Sequence, residues 1–200
     1  VLVAYLIWGL YPFYFHAMQH VAPTEIVIHR VLWTFALLAV YLFCSRRWRW
    51  IQKAITDRRT VAVFLMSSVL ITANWSTYTY AIVTNQTLEA SLGYFMNPLV
   101  SVLLGTVFLK EKLNKAQMLA IVFACAGVMW VTFKQGEFPA LGLTLALSFG
   151  FYGLVRKMAP LGSLEGLTLE TAFAFPVALL ATFYFAGNGD LTFVHGTSWD

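Results

Sequence analysis

Charge is scarce in this sequence. Asp, Glu, Lys and Arg make up 11% of its 200 residues, while hydrophobic residues fill 60%. An average soluble domain carries about 25% charged residues, so this composition excludes an ordinary soluble fold. Cysteine is nearly absent too: Cys44 and Cys125 are the only two. They lie in or at the end of apolar segments, without metal-ligand spacing, and are expected to be buried free thiols. No G-x-x-x-x-G-K-[ST] loop is present, which removes the sequence basis for ATP coupling. The net charge of +4 does not mark a nucleic-acid binder, because the basic residues sit between hydrophobic runs, where topology signals belong. The chain opens at Val1 inside an apolar run, without Met or a signal-peptide n-region, and closes at Asp200 in a polar stretch. It is expected to be a fragment of a longer protein.

What the sequence has is length without charge. Seven apolar stretches, at about 1–20, 26–44, 61–83, 87–109, 116–133, 139–155 and 166–186, approach the ~20 residues that a membrane-spanning helix needs. Thr24, after Pro23, is the expected cap of the second. Eleven of the thirteen Lys and Arg residues fall on one side if the spans alternate. These are Arg46, Arg47, Arg49, Lys53, Arg58, Arg59, Lys110, Lys112, Lys115, Arg156 and Lys157. Lys134 falls on the other side and Arg30 within a span. Positive charge stays cytoplasmic, so the N-terminal side is expected in the cytoplasm. Trp48, Trp50, Tyr11 and Tyr14 are expected as interface anchors.

The most informative stretch is EASLGYFMNPLVSVLLG, residues 89–105. Glu89, Gly93, Asn97, Ser101 and Gly105 recur every fourth residue, one above another on a helix. Small residues at that spacing let two backbones approach closely in a membrane. The carboxylate and the amide need partners inside the protein, and Pro98 leaves the carbonyl of Tyr94 free. In the third span Asn74, Tyr78 and Asn85 fall near one face, flanked by Trp75 and Tyr80. Depth and spacing select Asn74, Trp75, Tyr78, Glu89, Tyr94 and Asn97 as candidate substrate-binding residues. A satisfied interhelical hydrogen bond is the simpler account of Asn74.

An internal repeat supplies the architecture. LIWGLY at 6–11 overlays LSFGFY at 147–152, and Glu25 opens the second span as Glu165 opens the seventh. The same offset sets Arg30 opposite Glu170. A five-span unit must re-enter the membrane inverted, the arrangement of secondary transporters whose site lies near the midplane. Arg30, Glu89 and Glu170 are the candidate coupling or gating residues, Glu89 or Glu170 as proton carrier. Structural ion pairs, with Arg30 snorkelling outward, are the plainer alternative.

With residues 74–113, NWSTYTYAIVTNQTLEASLGYFMNPLVSVLLGTVFLKEKL, in view, the chain resembles the RarD branch of the EamA group, in the drug/metabolite transporter superfamily. EIVIHR at 25–30 and GLTLET at 166–171 resemble that branch too. The resemblance implies an all-α integral membrane protein of the bacterial inner membrane, built as ten spans in two inverted five-span repeats. Residues 1–134 would be the first repeat and 139–200 the start of the second, with about seven spans present. Glu111 matches the acidic residue at the cytoplasmic end of span four, and the label "chloramphenicol-sensitive protein" implies drug or small-metabolite transport. The expected function is thus secondary transport of small organic molecules, coupled to protons, by alternating access. The partners are a small-molecule substrate and the bilayer, with a homodimer left open and no cofactor or metal. An intramembrane metal-dependent hydrolase is the alternative, from His16 and His20, and Glu25 and His29, each four apart. A seven-span receptor, suggested by span count alone, runs against the repeat.

Overall fold

The computed structural model describes residues 2–18, 20–46, 48–136 and 138–188. Among these every regular element is helical: α1 (Leu2–Ala17), α2 (Pro23–Ser45), α3 (Arg49–Thr56), α4 (Arg58–Val83), α5 (Thr87–Phe108), α6 (Lys115–Gln135), α7 (Ala140–Lys157) and α8 (Ser163–Asn188). Five of them, α2, α4, α5, α6 and α8, are long and apolar enough to cross a membrane. The seven stretches all form helices; α1 and α7 have 16 and 18 described residues and are not among the five candidate spans.

Local chemistry explains the boundaries. Pro23, not Thr24, opens α2: Ala22 is the cap position and makes no side-chain cap bond. A first-turn N–H has no helical partner, so the ring that lacks it fits there and presets φ. Asp57 opens α4, its carboxylate accepting from the amides of Arg59 at 3.3 Å and Thr60 at 3.1 Å. Asn114 and Gln117 form a reciprocal capping box on α6. That helix ends at Gly136, whose φ of 71° suits a residue without Cβ. Asn85, with φ 61°, lies in the turn after α4 and so leaves the helical face expected for it.

α4 is the hub of the bundle, packing on α1, α2, α3, α5, α7 and α8, whereas α6 packs on α5 and buries none of its apolar window. α5 and α7 make the closest helix pair. A Cβ on Gly93 would meet the Gly142 carbonyl oxygen and Leu145 Cβ, each at 2.9 Å, and one on Gly150 would meet Val100 Cγ1 at 2.6 Å. The first part of the ladder, Glu89 and Gly93, therefore faces α7 and brings the two backbones together, while Ser101 is exposed and Gly105 lies against Glu111. Large apolar side chains such as Phe13, Trp33, Phe95 and Phe133 are exposed, as lipid-facing residues must be.

Three further differences arise for physical reasons. Cys44 is exposed and Cys125 half-buried, because a lipid-facing helix surface is apolar without being core. Tyr11 is not an outward anchor: it stacks on Phe15, ring centroids 5.8 Å apart, against the core cluster that Phe15 shares with Ile26 and Leu145. The basic linker between the second and third stretches contains α3, an eight-residue amphipathic helix. Ala54 and Trp50 of α3 pack on Phe64 and Leu169.

Candidate functional site

The selected polar residues gather in two regions, both served by α4. The first surrounds Arg30 of α2. Its guanidinium lies over the Trp75 ring of α4, 4.0 Å from the centroid, a close cation–π contact. Three tyrosines are in electrostatic reach: Tyr11 of α1, Tyr78 of α4 and Tyr94 of α5. Tyr78 meets Tyr94 edge-to-face at 5.8 Å and Phe15 at 5.9 Å. Arg30, Trp75 and Tyr78 are half-buried, and Tyr94 is 52% exposed. Among the described residues no carboxylate forms an ion pair with Arg30. A charged side chain on a span costs about 2.5–3.5 kcal/mol even on the lenient insertion scale. The Trp75 face offsets part of that cost and leaves the in-plane N–H donors to other groups.

Beside this aromatic cluster, Asn74 donates from Nδ2 to the Leu145 carbonyl at 3.1 Å and to Ser148 Oγ at 3.0 Å. It is a clamp between α4 and α7, as its simpler account anticipated. Asn74, Tyr94 and Asn97 line a cavity of about 10 Å³ with Gly93, Leu145 and Phe149. That volume holds at most one water. Glu89 is turned to α7, its Oε2 accepting from the Leu141 amide at 3.1 Å. A carboxylate is favoured at a helix N-terminus, so Glu89 helps fix where α7 begins.

The second region surrounds Glu170 of α8, 1% exposed. The Ser67 hydroxyl of α4 donates to its Oε1 and the Tyr152 hydroxyl of α7 to its Oε2 at 3.4 Å. Arg156 Nε lies 3.6 Å from Oε1. Ser68 ties down the Glu170 backbone carbonyl at 2.6 Å. Arg156 rests over Phe64 at 5.2 Å and donates to the Gly162 carbonyl at 3.1 Å. A Cβ on Gly166 would lie 1.8 Å from Arg156 Nη1, so only glycine admits the guanidinium. Both Glu170 oxygens are thus engaged, as a buried charge requires. At the same end of the bundle Glu111 pairs with Lys157 in an exposed contact.

Arg30 and Glu170, which the structure keeps in separate regions, occupy matching positions. Arg30 follows Pro23, the first residue of α2, by seven places, and Glu170 follows Ser163 of α8 by seven. Tyr11 and Tyr152, paired by the LIWGLY/LSFGFY overlay, each accompany the charge of their own half. Sequence reasoning missed Ser67, Ser148, Tyr152 and Arg156 as partners. The overlay itself held the signal for Tyr152, since it aligned that residue with Tyr11.

A larger concavity than this one lies elsewhere. A groove of about 450 Å³ runs between α2, α4 and α8, lined among others by Val27, Val31, Leu65, Thr72, Phe173 and Val177. It contains none of the candidate binding residues and no charged side chain. On α4 its lining (Leu65, Ser68, Val69, Thr72, Ser76) occupies the face opposite Asn74 and Tyr78. In a bilayer an apolar groove of this kind also suits acyl chains, so volume is weaker evidence of a substrate site than the placement of charge.

The hydrolase alternative finds little here. Among the described residues no three His, Cys, Asp or Glu side chains gather as a metal site, and the His16 side chain lies outside them.

The profile of the EamA-like transporter family matches residues 1–133. The chain belongs to that family. Within it the chain falls in the RarD branch of the drug/metabolite transporter group. It is 40% identical to Protein RarD of Escherichia coli over 94% of this chain and 63% of that protein. "Uncharacterized transporter YojE" of Bacillus subtilis is 42% identical over 88% of this chain and 60% of its own length. "Chloramphenicol-sensitive protein RarD" of Pseudomonas aeruginosa is 29% identical over 92% and 62%. This EamA-family chain therefore spans about three-fifths of the length of the curated relatives it matches. No solved structure matches. With five apolar candidate spans and bacterial relatives named as transporters, it is a multi-pass membrane protein.

Proposed function

We propose that this chain forms the larger part of a proton-coupled secondary transporter of small organic molecules, working by alternating access between two inverted repeats. Residues 1–134 are the first five-helix repeat and 139–200 the beginning of the second, so the complete protein has ten spans, α1 and α7 counted among them. The observation that carries this reading is the matched pair of charges. Arg30 and Glu170 stand at the same helical position in α2 and α8, each beside its repeat's tyrosine, with the membrane midplane expected between them. A polar group at that depth is costly and retained for function.

Substrate enters the chamber formed by Trp75, Tyr78 and Tyr94, with Asn74, Asn97 and Glu89 along the α5–α7 seam. Glu170 carries the proton. Its hydroxyl and guanidinium neighbours hold the carboxyl in place in this arrangement, and a shift of α4 and α7 against α8 changes that shell. The N-terminal side and the basic loops face the cytoplasm. The relatives' names as transporters support this class over a hydrolase.

The test is the complete protein in proteoliposomes, with an imposed proton gradient and a panel of amphipathic drugs and metabolites. Movement of any panel member that follows the gradient supports the reading. Folded protein that moves none of them, with or without a gradient, contradicts it.

A further inference from the structure

Arg30 differs from the other span-embedded charges in what holds it. Glu170 has two hydroxyls and a guanidinium on its carboxylate, and Glu89 has a helix amide. Arg30 has aromatic rings: Trp75 covers one face of the guanidinium at 4.0 Å, and Tyr11, Tyr78 and Tyr94 are its electrostatic neighbours. Among the described residues it has neither a carboxylate partner nor a hydrogen-bond acceptor for its side chain. A ring over the face leaves the in-plane N–H fork open, and that fork matches the two oxygens of a carboxylate.

The rings around the fork are mutually braced, Phe15 on Tyr78 and Tyr78 on Tyr94. They offer flat apolar surface next to the charge, with Tyr94 open at the edge. A cation entering this chamber would meet a like charge. A neutral molecule would leave the guanidinium without a counter-charge in a medium where that is costly.

We infer that the Arg30 chamber selects organic anions, a carboxylate or similar monoanion on an aromatic or flat apolar body, with Arg30 as the anchor and Trp75, Tyr78 and Tyr94 as the walls. This names the substrate class of the transporter reading and rests on it for its physiological meaning, but anion binding itself does not. Arg30 thereby becomes a substrate-contacting residue rather than a gate. The contrast with Glu170 follows: one charge waits for its partner from outside the protein, and the other already has its partners within it.

The experiment is equilibrium binding to the purified complete protein in detergent. The probes are three molecules with one body and different charge: 3-phenylpropionate, 3-phenylpropanol and 3-phenylpropylamine. Calorimetry measures affinity, and tryptophan emission reports on Trp75, with Trp75→Phe identifying its share. The acid is expected to bind at least tenfold more tightly than the alcohol or the amine. Arg30→Gln is expected to erase that preference and Arg30→Lys to keep part of it. Should Arg30→Gln fail to fold, Trp75→Leu keeps the charge: it should weaken all three probes and preserve their order. Equal affinities in the wild type, absence of saturable acid binding, or a preference that survives Arg30→Gln each overturn the inference. The transporter reading fails separately. Acid binding without movement of any compound in liposomes would sink transport and leave the anion site standing, whereas transport confined to the amine or the alcohol would do the reverse.

Discussion

The two charge sites of this protein each lie seven residues into a long helix, α2 or α8, and are built on opposite principles. Around Glu170 the carboxylate is buried and met by Ser67, Tyr152 and Arg156 from α4 and α7, so that both its oxygens have partners, while Arg156 Nη1 is buried without one among the described residues. Around Arg30 the charge is half-buried with the Trp75 ring of α4 over its guanidinium, and among the described residues it has no ion-pair partner. Desolvating a charge demands compensation. The Glu170 region supplies it internally, and so gains rigidity and a group whose ionisation the surrounding helices can govern. The Arg30 region leaves it to a ligand. A transporter needs both kinds of site.

The comparison can be broken in graded steps. Removing one partner of a buried pair strands the other, so Glu170→Ala should cost about 3–5 kcal/mol. It would be read as lost denaturant resistance in mild detergent, and a loss under 1 kcal/mol would mean the cluster is wetter than its burial indicates. Gly142→Val tests the seam that holds α7, and with it Ser148, Tyr152 and Arg156, against α5. A Cβ there already meets the Glu89 carbonyl oxygen at 3.0 Å, and overpacking costs about 1–3 kcal/mol. Thermal unfolding of this variant should fall while Gly153→Val, where a Cβ meets nothing within 4 Å, stays near the wild type. Asn74→Leu removes the α4–α7 clamp, and interhelical hydrogen bonds of this kind are worth about 1 kcal/mol. A drop of that size with unchanged ligand binding would make Asn74 scaffold, and a drop in binding would return it to the chamber.

The smallest effect belongs to Asp57, outside the spans. The Thr60 hydroxyl, then the Thr60 amide and the Arg59 amide, hold its carboxyl below the usual carboxylate range. A depressed folded-state pKa adds stability that is fully present above the unfolded value of about 3.9. That contribution is lost as pH falls through the lower folded value. The stability difference between wild type and Asp57→Asn should therefore be constant near neutrality and shrink below pH 4. A difference that grows on acidification would mean the cap does not act through its charge.

How far the sequence could be read follows the same physics. Apolar runs and the i+4 ladder of residues 89–105 are local signals, so the helices and a close helix approach along that ladder were legible, whereas α7 as the partner and Gly142 as the contact were not. Partner identity is not local. Ser67 and Glu170 lie 103 residues apart, and only the registration of α4 on α8 brings them together. α3 was hidden because eight residues carrying Arg49 and Lys53 read as a charged loop. Its helical character rests on the apolar side that Trp50 and Ala54 bury. The overlay of the two sequence segments set Arg30 opposite Glu170, and both lie seven residues into their helices, but their opposite surroundings were not legible.

The most direct test of this contrast compares Arg30→Gln and Glu170→Gln of the complete protein in proteoliposomes, using a transported member of the liposome panel. Each is assayed in two modes, gradient-driven accumulation and substrate exchange without a gradient. The account predicts that Glu170→Gln loses accumulation and keeps exchange, while Arg30→Gln loses both. Accumulation that persists in Glu170→Gln, or exchange that persists in Arg30→Gln, would contradict it.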